Sequence, residues 1–245
     1  YKKIIDILKN NSSDIIIFGE NDYPYLMQFK DITSLQKNLN INQSLIIGST
    51  RKENNKYYNS FFLIKKNSVK IFDKKILVPF GEFIPFRKTF GFMDFITGTI
   101  DFTSGKSKRL LNLNENVNII PIICYEIIYF WKLINSNNMN GNLIINLTND
   151  SWFGKFSGPY QHFYFTKLRA AEFNKDIFRV STNGISAFIN RYGEILSKTS
   201  LNEKVIKNIN IKLSNEKTNL IFIHNIINIL IFLILIIGFF YRKKQ

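Results

Sequence analysis

The only cysteine of the 245-residue chain, Cys124, sits near the middle of an apolar run from Val117 to Tyr129 that reads VNIIPIICYEIIY. A run this rich in Ile, with little helical periodicity, predicts a buried strand, and Cys124-Tyr125-Glu126 falls where it opens into a turn. A lone thiol at such a junction is a candidate nucleophile. On its spacing alone it reads first as a small buried hydrophobe, because free cysteine is among the most buried residue types. Glu20 closes another apolar run, Asp14 to Glu20 (DIIIFGE), and Lys74 lies in Asp73 to Glu82 (DKKILVPFGE), where Pro79 and Gly81 break regular structure and put Glu82 on a defined loop. Taken singly, Glu20 fits a solvated strand cap equally well, and Lys74 and Lys75 fit a solvent-facing strand exit. With two histidines and one cysteine no metal-ligand cluster is possible, and neither metal nor cofactor is expected.

The elements that must carry these residues alternate at first and then change pattern. Apolar residues at 4, 5 and 8 predict a short amphipathic helix over Lys2 to Leu8, a second helix is expected over 31–40, and Ser44 to Thr50 (SLIIGST) reads as a strand. Helix and strand in alternation indicate a layered α/β core. Strands then follow one another over Tyr57 to Lys65 and Val69 to Phe72, with a turn between them. Beyond the cysteine strand, Asn142 to Asn146 starts another strand, Tyr160 to Asn174 a helix, and Phe178 to Thr182 and Ser186 to Asn190 two strands before a turn at Tyr192-Gly193. Val205 to Leu213 is expected to be an edge strand.

Composition narrows the partners. The net charge of +15 is carried mostly by Lys scattered among Asn and Ile, as AT-rich coding produces. Basic stretches such as Lys65-Lys66 and Lys106 to Arg109 are short and lack interleaved aromatics, so no nucleic-acid partner is expected, and a membrane surface is the better match. The stretch from 83 to 100 (FIPFRKTFGFMDFITGTI) is too aromatic for an ordinary loop: Phe83, Phe86, Phe90, Phe92 and Phe95 predict a membrane or lipid contact, with Arg87 and Lys88 placed to meet anionic headgroups. Residues 220–240 (LIFIHNIINILIFLILIIGFF) would span about 30 Å as a helix, enough to cross a bilayer. The basic residues after it predict a cytoplasmic tail and a globular part on the opposite side.

An acid, a lysine and a cysteine in this order resemble the nitrilase superfamily and, within it, the apolipoprotein N-acyltransferase family. The resemblance rests on Glu20, on Lys74 with Leu77-Val78-Pro79-Phe80-Gly81-Glu82, and on Cys124-Tyr125-Glu126. A third block adds Asn149-Asp150, Trp152-Phe153-Gly154, Gly158-Pro159, Gln161-His162, Arg169-Ala170, Glu172, Arg179 and Asn183-Gly184. It implies a four-layer αββα sandwich over 1–213, a linker over 214–219, a transmembrane helix over 220–240 and a basic tail over 241–245. It also implies upstream parts not in this sequence, namely a multi-helix membrane domain and the first strand of the sandwich.

In this reading Cys124 forms a transient thioester, Glu20 exchanges protons with the thiol and the attacking amine, and Lys74 with a backbone N–H stabilises the oxyanion. Glu82, Tyr125 and Glu126 support the site, the two acids by holding Lys74 charged and aimed. Glu126 has the alternative of pairing with a nearby Arg or Lys. His162 is expected to make a structural hydrogen bond. The implied substrates are a phospholipid acyl donor and the α-amino group of a lipid-modified cysteine at the start of an apolipoprotein, at the bacterial inner membrane with the catalytic part on the periplasmic side. A nitrilase-type amidase and an inactive lipoprotein-binding module remain the alternatives.

Overall fold

The computed structural model describes residues 1–87, 100–212, 226 and 229–236. Helix α1 (Lys2–Asn10), strand β1 (Ile15–Ile17), helix α2 (Phe29–Lys37) and strands β2 (Ser44–Glu53), β3 (Lys56–Lys65) and β4 (Ser68–Asp73) form the first half. Strands β5 (Leu111–Asn112) and β6 (Asn118–Ile123) follow, then a 3-10 turn at Cys124–Ile128 and the short helix α3 (Phe130–Leu133). Strand β7 (Leu143–Thr148), helix α4 (Ser157–Phe173) and strands β8 (Asp176–Ser181), β9 (Ala187–Ile189) and β10 (Ile195–Lys198) complete it.

The strands form a four-stranded sheet in the order β1-β2-β3-β4 and a six-stranded sheet in the order β10-β9-β8-β7-β6-β5. Alternation along each strand explains the layering, because successive side chains leave opposite faces. Ile46, Phe61, Leu63 and Phe72 point from the first sheet onto Ile119, Ile123, Leu143, Ile145 and Leu147 of the second. The opposite face of the first sheet, with Leu45, Ile47, Phe62 and Ile64, packs on Ile4 and Leu8 of α1 and Leu35 of α2. The outer face of the second sheet, with Ile120, Ile122, Ile144 and Ile177, packs on Phe163 and Ala170 of α4. Both faces of each sheet are therefore covered, which is why these strands read as unbroken apolar runs rather than alternating ones. The four layers are α, β, β, α.

Three expectations change. Strand β1 ends at Ile17, so Glu20 stands on the turn beyond it and not at its last residue. Residues 205–212 carry no strand; Val205 and Ile206 are exposed, and β10 occupies the sheet edge instead. Lys74 leaves β4 as a buried residue and not as the solvent-facing strand exit its position alone suggests. Of the expected membrane helix, residues 229–236 are helical and exposed, and among the described residues no helix is long and apolar enough to cross a membrane. Phe90, Phe92, Phe95 and Lys88 lie outside the described residues.

Candidate active site

Glu20, Lys74 and Cys124 converge at the carboxyl ends of strands from the two sheets. Strand β1 runs parallel to β2, and β4 runs the same way because β2, β3 and β4 are successively antiparallel, so Glu20 and Lys74 emerge at the same end of the first sheet, from its two outer strands. Cys124 leaves β6, and the neighbouring parallel strand β7 delivers Thr148 and Asn149 beside it. The Glu20 N–H donates to the Thr148 carbonyl at 3.4 Å and the Thr182 hydroxyl to the Glu20 carbonyl at 2.8 Å, joining the two sheets at the site. Gly48 makes the approach possible, since a Cβ there would lie 2.7 Å from Glu20 Cα.

The carboxylates surround one ammonium. Lys74 Nζ lies 2.9 Å from the Glu82 carboxylate and 3.7 Å from Glu20 Oε1, and the lysine is only 1% exposed. Burial works against its charge, but Glu20, Cys124 and Glu82 outweigh burial and hold the ammonium well above the usual lysine range. Asn59, on β3, completes the cluster by donating through Nδ2 to Glu20 Oε1 at 2.7 Å and Glu82 Oε1 at 2.9 Å, while its own Oδ1 has no hydrogen-bond partner among the described residues. Burial, above all, raises the Glu20 carboxyl above its ordinary range, against the lowering effects of Lys74 and Asn59.

Cys124 occupies a left-handed backbone conformation, φ +52°, at the step from strand to 3-10 turn. A non-glycine residue held there costs about 1–3 kcal/mol, and such positions cluster at functional sites. The thiol faces the Asn149 carbonyl at 3.9 Å and also meets Glu20 and Thr148. Burial and the Glu20 charge push it up to about 12, so at neutral pH it is a thiol beside a base and not a free thiolate. Chemically, the arrangement offers a nucleophile, a carboxylate able to take its proton, and a fixed positive charge for a developing oxyanion.

The supporting residues divide. Glu82 touches Lys74 and fixes its own loop through the Val78 N–H at 2.9 Å. Tyr125 is partly buried against the inter-sheet core and meets Tyr129 edge-to-face at 5.5 Å. Glu126 does not hold the Lys74 ammonium as expected. Its hydrogen bonds go to Arg109, to the N–H groups of Lys75 and Ile76, and to that of Ile123. Burial would raise its pKa, but Arg109 reverses that and keeps Glu126 ionised with no exposure.

His162 makes the expected structural contacts, with Nδ1 2.7 Å from Asp150 Oδ1 and Nε2 3.3 Å from the Cys124 carbonyl. Arg179 fixes Asp150 in turn at 2.7 Å. Phe83 sits on the loop beyond Glu82, Phe86 is 82% exposed, and the Arg87 guanidinium is engaged by Asp101, with Nε 2.9 Å from Oδ2. Asn59 and Arg109 are site residues with no signal of their own in the sequence. Asn59 looks like any polar position on a strand, and Arg109 ends a stretch that reads as surface charge.

Residues 11–216 match the carbon-nitrogen hydrolase family, and the chain belongs to it. The apolipoprotein N-acyltransferase of Rickettsia typhi is 36% identical over 209 residues, covering 80% of this chain and 41% of that protein. The enzyme of the same name from Rhizobium leguminosarum is 36% identical over 203 residues, 78% of this chain and 38% of that one. The chain thus spans about two fifths of the length of these relatives. The carbon-nitrogen hydrolase of Helicobacter pylori superposes with a TM-score of 0.61 at 14% identity, over 83% of this chain and 80% of its own, a likeness of fold.

Proposed function

We propose that the protein is an N-acyltransferase that moves a fatty acyl chain from a phospholipid to the α-amino group of a lipid-modified amino-terminal cysteine of an apolipoprotein. The observation that carries this reading is the meeting of Cys124, Glu20 and Lys74 within a chain similar over most of its length to apolipoprotein N-acyltransferases. In the first half-reaction Glu20 takes the thiol proton and the thiolate attacks the acyl ester carbonyl. The oxyanion faces Lys74, the C–O bond of the ester breaks, and the lysophospholipid leaves with the proton from Glu20. In the second, the amine attacks the thioester, Glu20 accepts the amine proton, and as the C–S bond breaks Glu20 passes that proton to the sulfur, which returns the thiol and the ionised carboxylate.

Burial serves this chemistry. A raised Glu20 is a stronger base toward a thiol whose own proton is held tightly, and the charge that develops on oxygen meets a fixed ammonium instead of reorganising water. The exposed apolar side chains Phe86, just past Glu82, and Trp131, just past the Cys124 turn, suit substrates that are both lipids, and the exposed apolar helix at 229–236 suits a membrane location at the inner membrane. No cofactor enters the mechanism.

The test is incubation of the full-length protein with phospholipid bearing a labelled acyl chain. A hydroxylamine-sensitive label on the protein, lost in Cys124→Ala and transferred to a diacylated lipopeptide, is the expected result. Label retained in Cys124→Ala refutes the thioester, and release of free acid with no transfer to the peptide assigns a hydrolase instead.

A further inference from the structure

Arg109 lies outside the cluster of Glu20, Lys74 and Cys124, yet it is only 4% exposed and both terminal nitrogens of its guanidinium are engaged, while among the described residues its Nε has no hydrogen-bond partner. Its Nη1 donates to Glu126 Oε2 at 2.8 Å and to the Pro121 carbonyl at 2.8 Å, its Nη2 donates to Glu126 Oε1 at 2.6 Å, and its guanidinium lies 4.8 Å above the Phe72 ring. The carboxylate it grips is the link between the nucleophile and the lysine. Glu126 Oε2 accepts from Ile123 N–H, the residue before Cys124, at 2.9 Å, and Oε1 accepts from the N–H groups of Lys75 and Ile76, directly after Lys74, at 2.9 and 3.1 Å.

We propose that Arg109 is a positioning residue: by holding Glu126 as a bidentate, ionised carboxylate it sets the distance between the Cys124 turn and the Lys74 backbone. Three observations converge on this role. Both carboxylate oxygens are used, one on each side, so only an ionised and correctly rotated Glu126 bridges the two segments. The planar guanidinium fork fixes that rotation, which a point charge does not. The segment that carries Arg109 is itself fastened to the lysine, because Gly105 N–H donates to the Lys74 carbonyl at 2.8 Å and a Cβ on Gly105 would overlap the Asp73 backbone. Cys124 sits in an unfavourable backbone conformation and lacks the freedom to compensate for a shift. Removing the arginine leaves a fully buried carboxylate without its counter-charge. Glu126 then takes up a proton, becomes a donor at one oxygen, and can no longer accept from both sides.

The inference rests on Cys124 and Lys74 being the working pair. The test uses the full-length protein as wild type, Arg109→Met, and Arg109→Met with Glu126→Gln. Three quantities are read: the rate of Cys124 alkylation by iodoacetamide against pH, kcat and KM for acylation by labelled phospholipid, and the thermal midpoint.

Misplacement by an ångström costs about 100-fold in rate. Arg109→Met should therefore lower kcat by about that factor with KM unchanged, and move the alkylation profile to higher pH as the Lys74 charge loses its hold on the thiolate. The double variant leaves no unpaired buried charge and should regain the thermal midpoint. It should not regain kcat, because a carboxamide has one acceptor oxygen where the carboxylate used two. Unchanged alkylation and kcat in folded Arg109→Met, a change confined to KM, or recovery of kcat together with stability in the double variant each overturn the role. Alkylation reads the geometry without any lipid substrate. Wild-type protein that alkylates normally but takes no acyl label refutes the proposed function and leaves this inference to be decided by the alkylation profiles.

Discussion

Replacing Asn59 with leucine probes the charge balance of the site at a residue that touches neither the thiol nor the ammonium through its side chain. Its Nδ2 donates to Glu20 at 2.7 Å and to Glu82 at 2.9 Å, and leucine of similar volume removes both donors. A hydrogen bond to a charged group is worth about 1.5–3 kcal/mol, and one pKa unit corresponds to about 1.4 kcal/mol. Loss of the bond to Glu20 should raise its pKa, already elevated by burial, by a further one to two units, roughly.

The sign follows from the base needing to be ionised. The acid limb of the pH profile moves up by that amount, and rates on that limb fall about 10- to 100-fold. Folding should suffer little, because the unpartnered Asn59 Oδ1 is removed as well, and the backbone bond from Lys74 N–H to the Asn59 carbonyl, 2.8 Å, survives the change. The assay is iodoacetamide alkylation of Cys124 from acid to alkaline pH, alongside acylation by labelled phospholipid. An acid limb that stays where the wild type has it, in a folded variant, refutes the claim that Asn59 tunes Glu20.

Two further outcomes are expected. Lys74→Arg keeps the charge but puts a planar fork into a site closed around an ammonium, so acylation should drop about 100-fold or more, and wild-type turnover would remove Lys74 from the oxyanion role. Asp150 is held down to about 2, below its ordinary 3.8, where burial alone would raise it, by the His162 hydrogen bond and the Arg179 charge. A depressed acid stabilises the fold above its ordinary value and loses that contribution as pH falls toward its folded one. Urea unfolding should therefore show wild type losing about 2 kcal/mol more than Asp150→Asn between pH 4 and 2, and parallel losses would contradict the assignment.

The layered fold was legible because its strands are buried on both faces and announce themselves as runs such as IIPII before Cys124 and LIINL before Thr148. Glu20, Lys74 and Cys124 were legible through their order and neighbouring motifs. What the sequence withheld was partnership. Nothing local distinguishes Arg109 from Lys106 and Lys108, which stay exposed three residues and one residue before it, because its burial depends on a carboxylate 17 positions on. Asn59 is equally silent, since its two partners come from a turn 39 residues before it and a loop 23 after. Residues 205–212 differ for the converse reason: their alternation of Ile with Asn and Lys fits a strand, but the sheet edge is already filled by β10.

The pairing of charges inside this protein also says something about its outside. Among the described residues the buried carboxylates are Glu20, Asp73, Glu126, Asp150 and Asp176, and the buried cations are Lys74, Arg109, Arg169, Lys175 and Arg179, so the interior is electrically neutral when all are ionised. The surplus of +15 is therefore left to the remainder of the chain. Dissolved ions screen exposed charges beyond about 8 Å at physiological strength but hardly reach buried pairs. Salt accordingly acts on how fast and how firmly this molecule meets an anionic surface, while the thiol, the ammonium and their carboxylates keep the same mutual field in dilute buffer and in brine.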